Sequence, residues 1–270
     1  MKDPVKVHLT EVQETLLITL HAKALDSHSK NPILHDEKAS QLLSRIDYDF
    51  GKLKGFGNDN LIVVRAKQYD AWLREFLDSH PHAIVLNLGC GLDTRITRIN
   101  PSATVQWFDI DYPDVIQLRE NFYSNGARYT MIGSSITDPN WLTEIPTDQP
   151  TLIIAEGVLA YLTPEEAKSL LNRITDHFPH GEMAFDVMNA YAIQLAQSSA
   201  SQTTGALHKW AVENTEEVDQ LDARLKRVTE LSLLRSAYVR QLPWVFRLLY
   251  GSIAFFPQYR NMIRLLRYQF

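Results

Sequence analysis

Four short stretches set chemically useful residues directly behind apolar ones. In "AIVLNLGCGLDTRI" an apolar run ends in Gly89-Cys90-Gly91, with Asp93 and Arg95 close behind. In "VQWFDIDYP" two acids, Asp109 and Asp111, follow the glycines about 20 residues on, the spacing at which a second strand presents an acid to a ribose. In "TLIIAEGVLAYLTPEEA" an apolar run meets Glu156-Gly157 and then Tyr161, and in "LIVVRAK" Arg65 follows another. Paired glycines let the backbone turn tightly and a ligand lie against it. A carboxylate at the end of the next strand accepts two hydrogen bonds from a ribose diol, which points to an adenosine-type ligand. Two acids at i and i+2 share one face of a strand, but that rule loosens past the strand's end, so both stay open for the task. Asp111 also stands where it could cap a helix opened by Pro113. Thr94 replaces the third small residue of a dinucleotide turn, and no Gly-Lys-Ser/Thr phosphate loop follows.

These residues need elements to position them. Short apolar runs predict strands at 84–88, 104–108, 128–132, 151–155 and 183–187, with helices near 94–99, 113–124, 139–144 and 164–177. Such alternation makes a parallel sheet with helices on both faces, and ligands bind at its carboxyl edge. Two more strands are expected at 227–233 and 263–269, after a polar helical stretch. Upstream, "TLLITLHAKALDSHSK" and "EKASQLLSRI" have helical spacing, and "GKLKGFGNDN" reads as a loop. "LIVVRAKQYDAWLREFLDSHP" is a long amphipathic helix that stops before Pro81. Residues 1–80 are thus expected as a helical cap on a core at 81–270, within one structural unit.

Composition narrows the classes. A chain of 270 residues with 45% hydrophobic and 22% charged residues is an ordinary globular protein with a substantial core. A net charge of -5 argues against a general nucleic-acid binder, which needs a basic face. One cysteine, Cys90, cannot close an internal disulfide, and no Cys/His cluster has zinc spacing. The polar start lacks a signal-peptide core, and no apolar run reaches the length of a membrane span, so a cytoplasmic setting is expected. From Arg235 onward there are arginines and no acid. "PWVFRLLYGSIAFFP" within that segment is read as a lid or core helix between Pro243 and Pro257, in preference to a membrane-surface or partner helix.

Taken together, "NLGCGLDTR", "WFDIDYP", "AEGVLAYL" and "RIDYDF" resemble the leucine carboxyl methyltransferase superfamily, and within it the bacterial tetracenomycin-type polyketide O-methyltransferases. The likeness runs from "LLITLHAKALDS" to the terminal "RLLRYQF". It implies a class I S-adenosylmethionine (SAM) methyltransferase: an α/β, Rossmann-like seven-stranded sheet with helices on both faces, its last strand antiparallel, under an N-terminal helical lid. It further implies Gly89 beneath the methionine part of SAM and Asp111 on the ribose, with Asp109 as a neighbour able to share that task. Arg65 is similar to the arginine that pairs with the SAM carboxylate, and Lys23 to a second cation there. Glu156 corresponds to the acid at the SAM amino end, and Tyr161 to a tyrosine near the transferred methyl. Relatives often carry Asp-Leu-Arg-Asp after the third strand; here "GSSITDPNW" offers Ser135 and Ile136 to the adenine.

The charges suit that ligand, since a zwitterionic methionine end needs both a cation and an acid, and a guanidinium can hold both carboxylate oxygens. Methyl transfer from a sulfonium chiefly requires nucleophile, methyl and sulfur to be held in line. A carboxylate acceptor is ionised near neutral pH and needs no base, whereas a phenol benefits from one. His208, in "GALHKWAVEN", is the candidate base, and Lys209 or Arg240 could bind an anionic acceptor. The expected acceptor is a small molecule, such as a secondary metabolite, or a peptide carboxylate, with phenol and carboxylate both open. The rivals are SAM binding without catalysis and a nucleic-acid methyltransferase.

Overall fold

The computed structural model describes residues 4–7, 15–53, 59–204 and 207–270. The centre of the expected glycine-rich loop, 54–58, lies outside them, as do 1–3 and 8–14 of the polar start. The first elements are a two-residue strand β1 (Val5–Lys6), helices α1 (Thr15–Ser27) and α2 (Glu37–Leu43), strand β2 (Ile46–Asp47), which pairs in parallel with β1, and the long helix α3 (Asp59–Ser79). α2 is capped by Asp36, whose side chain accepts from the Ala39 amide. α3 buries Val63, Val64, Ala66, Tyr69, Leu73 and Phe76, the helical spacing expected of an amphipathic stretch, and it ends ahead of Pro81 as predicted.

The strand–helix alternation then follows: β3 (Ile84–Leu88), α4 (Arg95–Ile99), β4 (Gln106–Asp111), α5 (Pro113–Arg119), β5 (Tyr129–Gly133), β6 (Thr151–Ala155), α6 (Pro164–His177) and β7 (Gly181–Met188). Between β5 and β6 the helix expected near 139–144 is a single 3-10 turn, Asn140–Glu144. α6 opens with a full capping box, Thr163 and Glu166 each satisfying the other's backbone amide, with Pro164 at its first position. The chain ends with α7 (Ala190–Thr204), α8 (Glu216–Asp219), β8 (Lys226–Ser232), α9 (Trp244–Ile253), α10 (Pro257–Arg260) and β9 (Ile263–Gln269).

Seven strands lie in the order β5-β4-β3-β6-β7-β9-β8. β3 to β7 are mutually parallel, and β9 runs antiparallel between β7 and β8. This is the sheet the resemblance implies, with its last strand reversed. Alternate residues of β3 face opposite layers. Ile84, Leu86 and Leu88 join a core with β6 and α6, while Val85 joins one with α3 and α9. A third cluster, built from α1, α2, Leu92, Val115 and Leu118, sets the first two helices over the glycine turn and α5. α3 packs on the sheet through its buried face, and its Leu61, Ile62 and Arg65 also reach the cleft at the carboxyl edge.

Two expectations change. Strand 104–108 is displaced to Gln106–Asp111, so both acids lie within the strand and not after it. The core helix expected between Pro243 and Pro257 is shorter, Trp244–Ile253; its inner face packs into the core, while Trp244, Val245, Leu248 and Leu249 on its outer side are exposed.

Candidate active site

A cleft of about 520 Å³ opens at the carboxyl edge, within the range of small-molecule sites. It is lined by Lys23, Arg65, Gly89, Asp111, Ser135, Ile136, Glu156, Tyr161 and His208, nine residues the sequence singles out. Asp109 is absent from that wall. It is fully buried and accepts hydrogen bonds from Asn87 Nδ2 (2.9 Å), Trp107 Nε1 (2.9 Å), the Tyr129 hydroxyl (2.6 Å) and Arg119 Nη2 (2.5 Å). These partners occupy its oxygens, so the expected sharing of the ribose task is replaced by a structural role that ties β3, β5 and α5 together.

Asp111 is differently placed. Its Oδ2 accepts from the Gly91 amide at 2.7 Å and its Oδ1 from the Tyr112 amide at 2.8 Å. Burial pushes its carboxyl up to about 6, against the pull of those two amides. It is not the cap of α5, whose cap residue is Tyr112 with no side-chain bond. Gly89 and Gly157 make the floor. Gly89 has φ +62°, and a Cβ there would meet Val158 Cγ2 at 2.6 Å. Gly157 has φ +71°, and a Cβ there would come within 3.1 Å of Arg65 Nη2.

The charged end of the cleft is a connected set of ion pairs. Arg65 bonds Glu156 through Nε (3.1 Å) and Asp186 through Nη1 (3.2 Å); among the described residues its Nη2 has no hydrogen-bond acceptor. Arg95 bonds Asp70 (2.8 Å), Asp93 (2.6 Å) and Glu156 (2.5 Å), while Lys23 bonds Asp93 at 2.8 Å. Arg98 extends the set to Asp36 and Asp70. Burial alone would raise the Glu156 carboxyl, but Lys23, Arg95 and Arg65 outweigh it and hold it below the usual range. Burial likewise works against the Arg65 charge, and Asp186 and Glu156 more than restore it. Lys23 and Arg65 are therefore already committed to protein acids, and any ligand carboxylate would have to share them.

Asp70, Asp93, Arg95 and Asp186 join this set without being among the residues that their local sequence marks for the site. Signals for them existed: Asp186 is an acid inside the apolar run "MAFDVM", and Asp70 falls on the apolar stripe of α3. Asp186 accepts from the Gly157 amide (2.7 Å) and the Tyr69 hydroxyl (3.1 Å), which fixes the turn after β6.

Across the cleft, the loop after β5 is held by its backbone. Trp141 Nε1 and Arg173 Nη2 both donate to the Ile136 carbonyl, at 3.2 and 2.9 Å, so Ser135 and Ile136 are presented from a fixed turn. At the opposite end the Tyr161 and His208 rings stack, centroids 4.6 Å apart. Burial raises the Tyr161 hydroxyl, which also bonds Thr15 at the start of α1. Burial lowers the His208 imidazole, and its Nδ1 is buried with no hydrogen-bond partner among the described residues. Lys209 pairs with Glu166 at 3.3 Å near the surface. Leu61, Ile62, Met188 and Leu207 complete this end.

The leucine carboxyl methyltransferase family model matches residues 16–175, which hold the glycine turn, both acids and Glu156. The chain belongs to the leucine carboxyl methyltransferase family. In this family the tetracenomycin polyketide synthesis O-methyltransferase TcmP of Streptomyces glaucescens is 38% identical over 98% of both chains. The S-adenosyl-L-methionine-dependent methyltransferase dpfgK of Gibberella zeae is 34% identical over 80% of both. A crystal structure assigned as a methyltransferase of Thermobifida fusca shares the fold, with a TM-score of 0.60 at 15% identity over 92% of this chain and 93% of that one. The leucine carboxyl methyltransferase fold here is thus that of a SAM-dependent O-methyltransferase, and SAM is its cofactor. The site fits that group: side-chain-free floor at Gly89, a carboxylate at Asp111, and an arginine and an acid facing each other at Arg65 and Glu156.

Proposed function

We propose that the chain O-methylates a carboxylate of a small, largely apolar acceptor, with Asp111 on the SAM ribose and Gly89 under the methionine part. In this reading Arg65, Lys23 and Glu156 take the amino-acid end, and Ser135 and Ile136 flank the adenine. When bound, SAM supplies a methyl group on a sulfonium that departs as a neutral thioether. The task left to the protein is alignment and exclusion of water.

The observation that carries the choice of a carboxylate is the state of His208. A histidine base needs an orienting acid or carbonyl on its second nitrogen. None reaches His208 Nδ1 among the described residues. Glu166 is no substitute, since it caps α6 and pairs with Lys209. A carboxylate acceptor is ionised already and asks for no proton transfer. His208 and Tyr161 then act as a flat aromatic wall for the acceptor, and Lys209 draws its anion to the mouth. The family's name, and the part of TcmP in polyketide synthesis, are in line with a secondary-metabolite acid.

The test uses methyl-labelled SAM with a panel of aromatic carboxylic acids and matched phenols. Mild alkali hydrolyses a methyl ester to volatile methanol and leaves an aryl methyl ether intact. The reading expects alkali-labile label. Alkali-stable label would move the assignment to a phenol, and SAM binding without any transfer would leave a binding protein.

A further inference from the structure

Helix α9 is apolar on two opposite sides. Its inner side, Phe246, Tyr250, Ile253 and Ala254, packs into the core shared with α3. Its outer side carries Trp244, Val245, Leu248 and Leu249 at i, i+1, i+4 and i+5, and Phe255 and Phe256 follow just past the helix end. All six are exposed, Trp244 at 63% and Phe255 at 81%. A contiguous apolar patch on a globular protein marks an interaction surface.

The charges of the segment that carries it are of one sign. Arg240 precedes α9, Arg247 lies on it, Arg260 ends α10, and Arg235 is close before them. Among the described residues none of these four makes an ion pair. The other two arginines of the segment, Arg264 and Arg267, are buried in β9 and pair with Glu230, Glu182 and Glu75. No Asp or Glu occurs from Arg235 to the chain end. Asp59, the acid that acts on Tyr250, faces the inner side.

We propose that α9 and the turn after it dock on an anionic phospholipid bilayer. Aromatic and leucine side chains enter the headgroup boundary while arginines meet lipid phosphates, which is how an amphipathic helix lies in an interface. A second copy of the chain fits less well. A two-fold contact would lay these arginines against their own equivalents with no acid to receive them. Docking needs no spanning segment, and no helix among the described residues is long and apolar enough to cross a membrane. The Tyr250 hydroxyl bonds Asn60, next to Leu61 and Ile62 of the cleft wall. Docking ties the membrane to α3 and the cleft wall through the inner side of α9, and it does not depend on the assignment of the cleft.

The test is co-sedimentation of the full chain with phosphatidylcholine vesicles, with and without phosphatidylglycerol. Binding is expected only with phosphatidylglycerol, falling with added salt. It should drop about tenfold or more in L248S/F255S/F256S and in R240Q/R247Q/R260Q. Trp244 reports directly, because Trp72, Trp107, Trp141 and Trp210 are buried. Its emission should shift to the blue on docking, and Trp244→Phe should abolish the shift. SAM binding by both triple variants, which alter no cleft residue, shows that they fold. No binding to phosphatidylglycerol vesicles overturns the proposal, as does equal binding by the folded variants. So does a dimer that the apolar variant dissolves.

Discussion

The two ends of the cleft are built on opposite plans. At the end proposed for the methionine part, each of Lys23, Arg65, Arg95 and Arg98 has a protein acid within ion-pair distance, and the set reaches from α1 through α3 and α4 to β7. At the acceptor end the wall is a tyrosine–histidine stack and aliphatic side chains, with one half-exposed lysine. The first end offers a zwitterion charges that cannot rearrange without leaving a buried one unpaired, which is the role the proposed function gives it. The second excludes water and is tolerant in shape. A site of this kind holds one cofactor strictly and its acceptor loosely.

The largest effect is expected on removing a cation from the rigid end. Arg95→Ala removes a buried cation that Asp70, Asp93 and Glu156 share, leaving Arg98, Lys23 and Arg65 as their remaining partners. It should cost about 3–5 kcal/mol of folding stability. Chemical denaturation checks this, and a loss below about 1 kcal/mol would mean the pairs are surface-like.

A smaller effect is expected at the floor. Gly89→Ala combines a positive φ with a clash against Val158 Cγ2. It should destabilise by about 1–2 kcal/mol, the cost of a side chain in the left-handed region plus local overpacking. Adding Val158→Ala should return the steric part alone; full recovery would show that φ contributes nothing.

Legibility divides along the same line. The glycine turn, Asp111, Glu156 and Arg65 were readable because each ends or follows an apolar run and the ligand's charges demand those types. Asp109 was misplaced because its pattern equals that of Asp111. Only the partners brought by Arg119 and Tyr129 separate them. The strands of the sheet were found nearly as they stand, since buried parallel strands read as continuous apolar runs. β4 slipped because Asp109 is buried without being apolar. α9 carries a buried and an exposed apolar side, and composition alone cannot say that the outer one stays uncovered. The ion-pair set joins residues far apart in sequence, and no local spacing announces it.

The loose end should respond least. Lys209→Gln is expected to raise the acceptor KM by a few-fold with kcat and SAM affinity held, as for a near-surface charge. His208→Gln should leave the pH profile of kcat/KM without a new limb. A profile that loses a limb near neutral pH in that variant would restore a base role.

Asp111, beside the glycine turn, bears most directly on the proposal that this cleft holds SAM with its ribose at the end of β4. Its carboxyl is raised to about 6 by burial. The folded chain without cofactor therefore holds this proton more tightly than the unfolded one. The stability from that proton is full below the usual carboxylate range and is lost as pH rises through about 6. Asp111→Asn removes the buried charge but can accept from only one of the two amides, so the cofactor-free protein should change by no more than about 1 kcal/mol at neutral pH. Titration calorimetry with SAM should nevertheless show affinity about tenfold or more weaker, the scale of lost charge-assisted hydrogen bonds. Wild-type affinity should itself fall as pH drops below about 6, while the variant's stays flat. Equal SAM affinity in Asp111→Asn and wild type at neutral pH would contradict the account.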